Sequence, residues 1–265
     1  CAAADLRGGA VSAGDAAEAA AIAAGTQSLR EHPSLQHRFN MAPSDQCKTI
    51  FFVRHAEGIH NRDSRDLPHF HDNLTTTMTY WDAPLTDVGV GQCDKLAETV
   101  AAMPEPAELV VVSPLRRALH TAALGFHRNP NVTLPAPPPF VATELCRERI
   151  GRHTCDGRRN LTDIQAEYSF VDFSEISSEF DVMWHHHKED QPSETASVGA
   201  AQRALRFLAW LSARPETRIA VVSHWVFFTH LFALFDDPSL HDKFGNAEMR
   251  KVVLCDGRIA PFQHA

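Results

Sequence analysis

No apolar run among the 265 residues approaches the roughly 20 that a membrane helix needs. A membrane-spanning role is therefore not expected. Cationic excess is missing too: 25 Lys and Arg stand against 33 Asp and Glu, a formal charge of −8. That excludes a general nucleic-acid binder, whose footprint would be basic. It leaves room for a local cationic pocket that takes a small anion. The six cysteines (Cys1, Cys47, Cys93, Cys146, Cys155, Cys255) are scattered, with no C-x-x-C pair, so the pattern speaks against a zinc site. Their expected state is reduced thiol in an intracellular protein. Internal repeats and long low-complexity tracts are lacking as well.

What is present is ordinary globular composition, 44% hydrophobic and 22% charged, enough for one large domain or two small ones. Residues 1–45 differ from the rest. "DAAEAAAIAAGTQSLR" favours a helix stopped near Gly25, and "EHPSLQHRFNMAPSDQ" reads as irregular chain. This region is taken as an N-terminal extension lying on the domain or on a protein partner, with the domain proper at 46–265. The chain opens at Cys1, and its Ala-rich start carries Asp5, Asp15 and Glu18, unlike an intact acid-poor transit peptide. The expected location is the cytoplasm, or an organelle matrix or stroma if such a peptide has been cut away.

From Cys47 onward strands and helices alternate. "TIFFV", "ELVVV" and "RIAVVS" are short apolar runs, fitting strands buried on both faces. "FVATEL" and "RKVVLCD" are further strands. Helices are predicted in "LTDVGVGQCDKLAETVAAM", with Leu85, Val88, Cys93, Leu96 and Val100 on one face, and in "LRRALHTAALGF", "LTDIQAEYSF" and "WVFFTHLFALF". The clearest amphipathic helix is "ETASVGAAQRALRFLAWLSAR", with Val198, Ala201, Leu205, Leu208 and Leu211 in register and Ser193 as N-cap. Residues 59–83, "RERIGRHTCDGRRN" and "WHHHKEDQPSE" read as polar loops. This order implies a mainly parallel sheet covered by helices on both faces. Ligands of such sheets sit beyond the carboxyl ends of the strands.

Three strands end in polar groups: Arg54 and His55, then Arg117 in "SPLRR", then His224 in "SHW". Two guanidiniums can grip a tetrahedral anion through planar donor forks. A neutral imidazole can act as nucleophile. Phosphoryl transfer asks mainly for positioning and charge stabilisation. A departing alkoxide needs a proton, and Glu144 and Glu148 follow the next strand as candidate acids.

These stretches resemble the histidine phosphatase superfamily. "VRHAEGIHN" is similar to its R-H-G-x-x-x-x-N signature, with Ala56 in place of Gly. "SPLRRALHTA" resembles S-x-L-x-R-x-x-Q-T-A, with His120 where Gln is usual, and "DAPLTDVGVGQ" resembles D-x-x-L-T-x-x-G-x-x-Q. "VVSHW" is similar to V-S-H-G, with Trp225 replacing Gly. "ELCRERIGRHTCDGRR" and "VDFSEISSEFDVMW" place the likeness nearest to eukaryotic phosphoglycerate-mutase-like proteins, over about residues 46–255. The resemblance implies a three-layer α/β/α sandwich and a phosphohistidine mechanism with no metal and no cofactor. By motif, His55 is the nucleophile. Arg54, Arg117 and His224 hold the phosphoryl oxygens, with Asn61 as an auxiliary substrate contact. The acid is Glu148 in "CRE", with Glu144 left open as the alternative and as a substrate contact.

The expected function is hydrolysis of a small phosphorylated metabolite. Phosphoglycerate mutase is the second reading. A catalytically weak subunit of a larger assembly is the third, prompted by the extension and by Trp225, which either packs behind the pocket or crowds it. Adjacent His185, His186 and His187 do not converge on one ion in regular structure, so they are read as a solvated loop. The five arginines from Arg147 to Arg159 are read either as a charged surface loop or as a grip on a second anionic group of the substrate.

Overall fold

The structure, a computed structural model, describes residues 47–67, 77–150, 153–186, 194–235, 237–255 and 258–259. The extension with its expected helix, the His-rich stretch 68–76, His187 and the Ser193 cap lie outside the described residues.

Among the described residues seven strands form one sheet: β1 (Lys48–Arg54), β2 (Leu109–Val112), β3 (Phe140–Ala142), β4 (Val171–Asp172), β5 (Arg218–Ser223), β6 (Met249–Cys255) and β7 (Arg258–Ile259). Their order is β4-β3-β2-β5-β1-β6-β7. The first five in that order run parallel, and β6 and β7 turn antiparallel at one edge. The helices are α1 (Ile59–Asp66), α2 (Asp87–Ala101), α3 (Arg116–Ala122), α4 (Leu161–Glu167), α5 (Val182–His186), α6 (Glu194–Ala213) and α7 (Trp225–Phe232).

Alternation along the strands explains the two covering layers. Ile50, Phe52, Val111, Ile219 and Val221 point to one face, against Ala204, Phe207, Leu208 and Leu211 of α6 and Phe227, Phe228 and Leu231 of α7. Phe51, Val53, Val110, Val112, Ala220 and Val222 point to the other, against Leu96 and Val100 of α2, Ala118 and Leu119 of α3 and Ile164 of α4. Each such side chain stabilises the fold by about 1.5–3 kcal/mol relative to exposure. Phe52 adds edge-to-face contacts with Phe228 and Phe232, at centroid separations of 5.4 and 5.2 Å. The result is the three-layer α/β/α sandwich with a mainly parallel sheet.

Several readings need correction. Residues 59–66 form α1, not loop. Its buried face carries His60 and Asp63, so hydrophobic periodicity could not reveal it. Trp184 to His186 belong to α5 rather than to a loop. Val88 is 61% exposed, and the inner face of α2 is Gly89, Cys93, Leu96, Ala97 and Val100. Cys47 and Cys255 are joined in a disulfide, against the expectation of reduced thiols throughout. They continue the β1–β6 register one step beyond the Lys48–Leu254 pair, with Cα atoms 4.2 Å apart. The bridge closes a separation of 208 residues. In the chain-entropy account, a loop that long restricts the unfolded chain by about 5 kcal/mol. Cys93, Cys146 and Cys155 are free and buried.

Two glycines in α2 differ sharply. A Cβ on Gly89 would meet the backbone oxygen of Glu57 at 2.2 Å, whereas one on Gly91 meets nothing within 4 Å. Gly89→Ala should therefore cost roughly 1–3 kcal/mol through overpacking. Gly91→Ala should gain roughly 0.5–1 kcal/mol through helix propensity. Urea midpoints of the two variants check this, and equal shifts would refute the close approach.

Candidate active site

Four neighbouring parallel strands, β3, β2, β5 and β1, deliver their carboxyl ends to one edge of the sheet. His55 leaves β1 with its N–H donated to the Ser223 carbonyl at 2.9 Å. A loop after α7 clamps this end. Arg54 Nη1 donates to Phe244 O at 2.6 Å, Asn246 Nδ2 to His55 O at 3.0 Å, and Ala247 N to Arg54 O at 3.1 Å. Ala247 reaches that position at φ 55°. From the other side, Thr121 Oγ1 accepts the Ala56 N–H at 3.0 Å.

The "DAPLTDVGVGQ" segment braces the same loop. Thr86 Oγ1 donates to Glu57 Oε1 at 2.7 Å and accepts the Gly89 N–H at 3.0 Å, capping α2. Gln92 Oε1 accepts the Glu57 N–H at 2.8 Å. Asp82 accepts the Arg116 N–H at 2.7 Å and pairs with Arg159 at 3.0 Å, fixing the start of α3 and with it Arg117.

At the centre lies Arg117, only 1% exposed. Its Nε donates to His55 Nε2 at 3.3 Å and to His224 Nδ1 at 3.2 Å. Its Nη1 donates to the Cys155 carbonyl, and its Nη2 pairs with Asp156 at 2.8 Å. His55 Nδ1 donates to Ala56 O at 2.7 Å, so its Nε2 keeps a lone pair. His224 Nε2 donates to Ser113 Oγ at 2.7 Å. The two rings lie 5.0 Å apart. Burial first, then the Arg117 cation, holds both imidazoles well below the ordinary histidine value, which keeps them neutral. Arg54 adds to the effect on His55.

Glu148 follows β3 and is buried. Its Oε1 accepts the Phe227 N–H at 2.8 Å and its Oε2 the Val226 N–H at 3.3 Å, at the start of α7 immediately beyond His224. Burial, helped by Asp156, raises its pKa, and Arg117 and Arg149 oppose that. Burial raises Asp156 as well. Glu144 sits differently: Arg147 takes Oε2 at 2.9 Å and Arg158 takes Oε1 at 2.8 Å. Asn61 Oδ1 accepts the Gly58 N–H at 3.0 Å and ties down the first turn of α1.

The arrangement therefore brings together Arg54, His55, Arg117, His224 and Glu148, and leaves Glu144 in an ion-pair network beside them. Sequence reasoning missed His60, whose ring lies 5.8 Å from that of His55, and Asp156, the buried partner of Arg117. Two arginines of the basic loop are not solvated: Arg147 and Arg158 are buried on carboxylates and carbonyls. Trp225 packs against the phenylalanine-rich core with Leu145. His153, Cys155 and Asp156 place possible metal-ligand atoms within 4.8 Å of one another, although Asp156 is already paired with Arg117. No helix of the described residues is long and apolar enough to cross a membrane.

The family model described as "Histidine phosphatase superfamily (branch 1)" matches residues 50–134. A phosphoglycerate mutase-like protein of Arabidopsis thaliana is 35% identical over 81% of this chain and 87% of its own length. The chain belongs to the histidine phosphatase superfamily. Phosphoglycerate mutase-like protein 1 of the same plant is 34% identical over 81% of this chain and 83% of its own. The crystal structure of phosphoglycerate mutase from Bacillus anthracis str. Sterne shares the fold, with TM-score 0.51 and 16% identity over 82% of this chain and 92% of that one. In this member of the superfamily the "DAPLTDVGVGQ" motif is scaffolding, since its polar side chains bond to the Glu57 loop and to the start of α3.

A cup with two guanidiniums beside two neutral imidazoles should bind a tetrahedral oxyanion. Orthovanadate at about 100 times its Kd should raise unfolding free energy by about 2.7 kcal/mol. Arg54→Met should remove most of that gain, measured against the variant's own vanadate-free melting temperature, which loss of the bond to Phe244 O lowers. A melting curve indifferent to vanadate in the wild type would refute an anion site here.

Proposed function

We propose that the protein hydrolyses a small phosphorylated metabolite through a phosphohistidine on His55, without metal or cofactor. The observation that carries the reading is the tautomer of His55, whose Nδ1 proton rests on Ala56 O while Nε2 keeps its lone pair beside Arg117. His55 Nε2 attacks phosphorus and the P–O ester bond breaks. The leaving oxygen takes its electron pair together with the proton of Glu148. Arg54, Arg117 and His224 spread the charge on the remaining oxygens, with Asn61 as an auxiliary contact. Water then attacks the phosphohistidine and loses a proton to Glu148. The P–N bond breaks, returning its electron pair to Nε2. Ala56 O steadies the cationic ring throughout.

Glu148 is favoured over Glu144 because Glu148 lies beside His224 at the start of α7, whereas both Glu144 oxygens are occupied by guanidinium donors. The packing of Trp225 on the core supports an open site rather than a crowded one. Mutase activity is the second reading, favoured by the names of the plant relatives. Conversion of 3- to 2-phosphoglycerate separates it from hydrolysis. The domain boundary is proposed at residue 46, just before β1, with residues 1–45 as an extension that can take a protein partner.

Release of phosphate from 4-nitrophenyl phosphate in excess chelator should fall by at least about 10³-fold in His55→Ala, as removal of a nucleophile requires. Wild-type turnover no better than that of the variant would overturn the proposal.

The pH profile follows from the two shifts. His55 must be unprotonated, and its lowered pKa keeps it so well into the acid range. Glu148 must be protonated, and its raised pKa carries that form above the ordinary carboxyl range. Activity on an alkyl phosphate should therefore peak on the acid side of neutrality and fall as pH rises through the ionisation of Glu148. Glu148→Gln should lose that alkaline limb, with a rate loss of about 10²–10⁴. An alkaline optimum in the wild type would count against the assignment.

A further inference from the structure

We infer that Arg203, on α6 in the layer behind the sheet, is the positioning residue for the general acid. The inference rests on Glu148 being that acid. Arg203 is 1% exposed, on the helix face that also carries Ala204, Phe207, Leu208 and Leu211 in the core. A cation there costs several kcal/mol to desolvate, so a purely apolar helix face would pack more cheaply. Its partners show what it does. Nη1 donates to the carbonyls of Arg147 at 2.6 Å and Leu145 at 3.2 Å, and Nη2 donates to the carbonyl of Glu148 itself at 3.0 Å. One planar fork thus fixes three carbonyls of the four-residue stretch that ends at the acid.

The same guanidinium also lies over the Phe227 ring, 5.1 Å from its centroid. Phe227 is the residue whose N–H donates to Glu148 Oε1, at 2.8 Å. Arg203 therefore holds the acid from both ends, by its own main chain and through the ring of the residue that orients its carboxyl group. Neither contact touches the anion cup, so the role inferred for Arg203 runs through Glu148. Its fork geometry matters as much as its charge, because a lysine ammonium on a shorter reach cannot span the three carbonyls.

In the phosphorylation of His55, which kcat/KM reports, a residue acting through the acid should matter only when the leaving group needs a proton. Arg203→Lys should reduce kcat/KM about 10²-fold on an alkyl phosphate, the scale of a misplaced catalytic group. It should cost only a few-fold on 2,4-dinitrophenyl phosphate, whose leaving group departs unprotonated. In a Glu148→Gln background the same substitution should add little on the alkyl ester, since the step it supports is already gone. Equal losses on both esters, or full additivity with Glu148→Gln, would reduce Arg203 to a structural residue. If Arg203→Lys fails to fold, Arg203→Gln and Phe227→Leu, read by the same ratio of esters, decide the matter. If Glu148→Gln itself shows no dependence on the leaving group, the acid assignment has failed rather than the role of Arg203.

Discussion

A guanidinium that has lost nearly all contact with water must be satisfied by protein on every side, and Arg117 meets that requirement with four donations from three nitrogens. Two go to imidazoles, one to a carbonyl and one to a carboxylate, with the single Nε–H shared between His55 and His224. From this one group the protonation states around it follow. A cation in a low-dielectric setting makes a second positive charge on either ring costly, so both stay neutral. Asp156 offsets the buried cation, and its carboxylate adds to burial in raising the hold of Glu148 on a proton. The same guanidinium thus keeps a nucleophile deprotonated and tolerates a protonated acid nearby.

That balance holds only if the surrounding loops cannot move. The stretch after β3 has little regular structure, only short helical turns at Glu144–Cys146 and Thr154–Asp156. Buried arginines take the place of a ladder. Arg147 bonds Asp181, Glu144 and the Asp156 carbonyl, and Arg158 bonds Glu144 and the carbonyls of Ser178 and Phe180. Guanidinium groups suit this work because a carbonyl-rich loop offers acceptors in abundance and few donors. Ser223 adds a further tie from β5, donating Oγ to the Cys146 carbonyl at 2.6 Å. The loop is therefore fastened to the sheet at one end and to α6 behind it.

The sheet was legible in the sequence because its strands are buried on both faces and read as unbroken apolar runs. Arg54, His55, Arg117 and His224 were legible because each follows such a run directly. The rest was hidden for physical reasons. α1 turns His60 and Asp63 inward and has no apolar stripe. β4 is two residues long at a sheet edge. Asp156 and Arg203 act through contacts made across 39 and 55 to 58 residues, respectively, which no local pattern encodes. The basic loop misled in a different way: its charge suggested either solvent or substrate, and Arg147 and Arg158 instead face inward. The disulfide joins cysteines whose proximity follows only from the antiparallel pairing of β1 with β6.

The distinction between the two glutamates illustrates what geometry adds to spacing. Both follow the same strand within a few residues, and the sequence leaves either one able to donate a proton. A general acid needs an oxygen whose proton can point at the leaving group. On Glu144 a proton on either oxygen would face an N–H of Arg147 or Arg158, a donor opposed to a donor. On Glu148 the amides of Phe227 and Arg149 both take Oε1, while that of Val226 uses one lone pair of Oε2 and leaves the second for a proton. Those amides begin the helix that directly follows His224, so the acid and one wall of the anion cup are set by a single turn of chain. The start of α7 therefore sets the placement of the acid relative to His224.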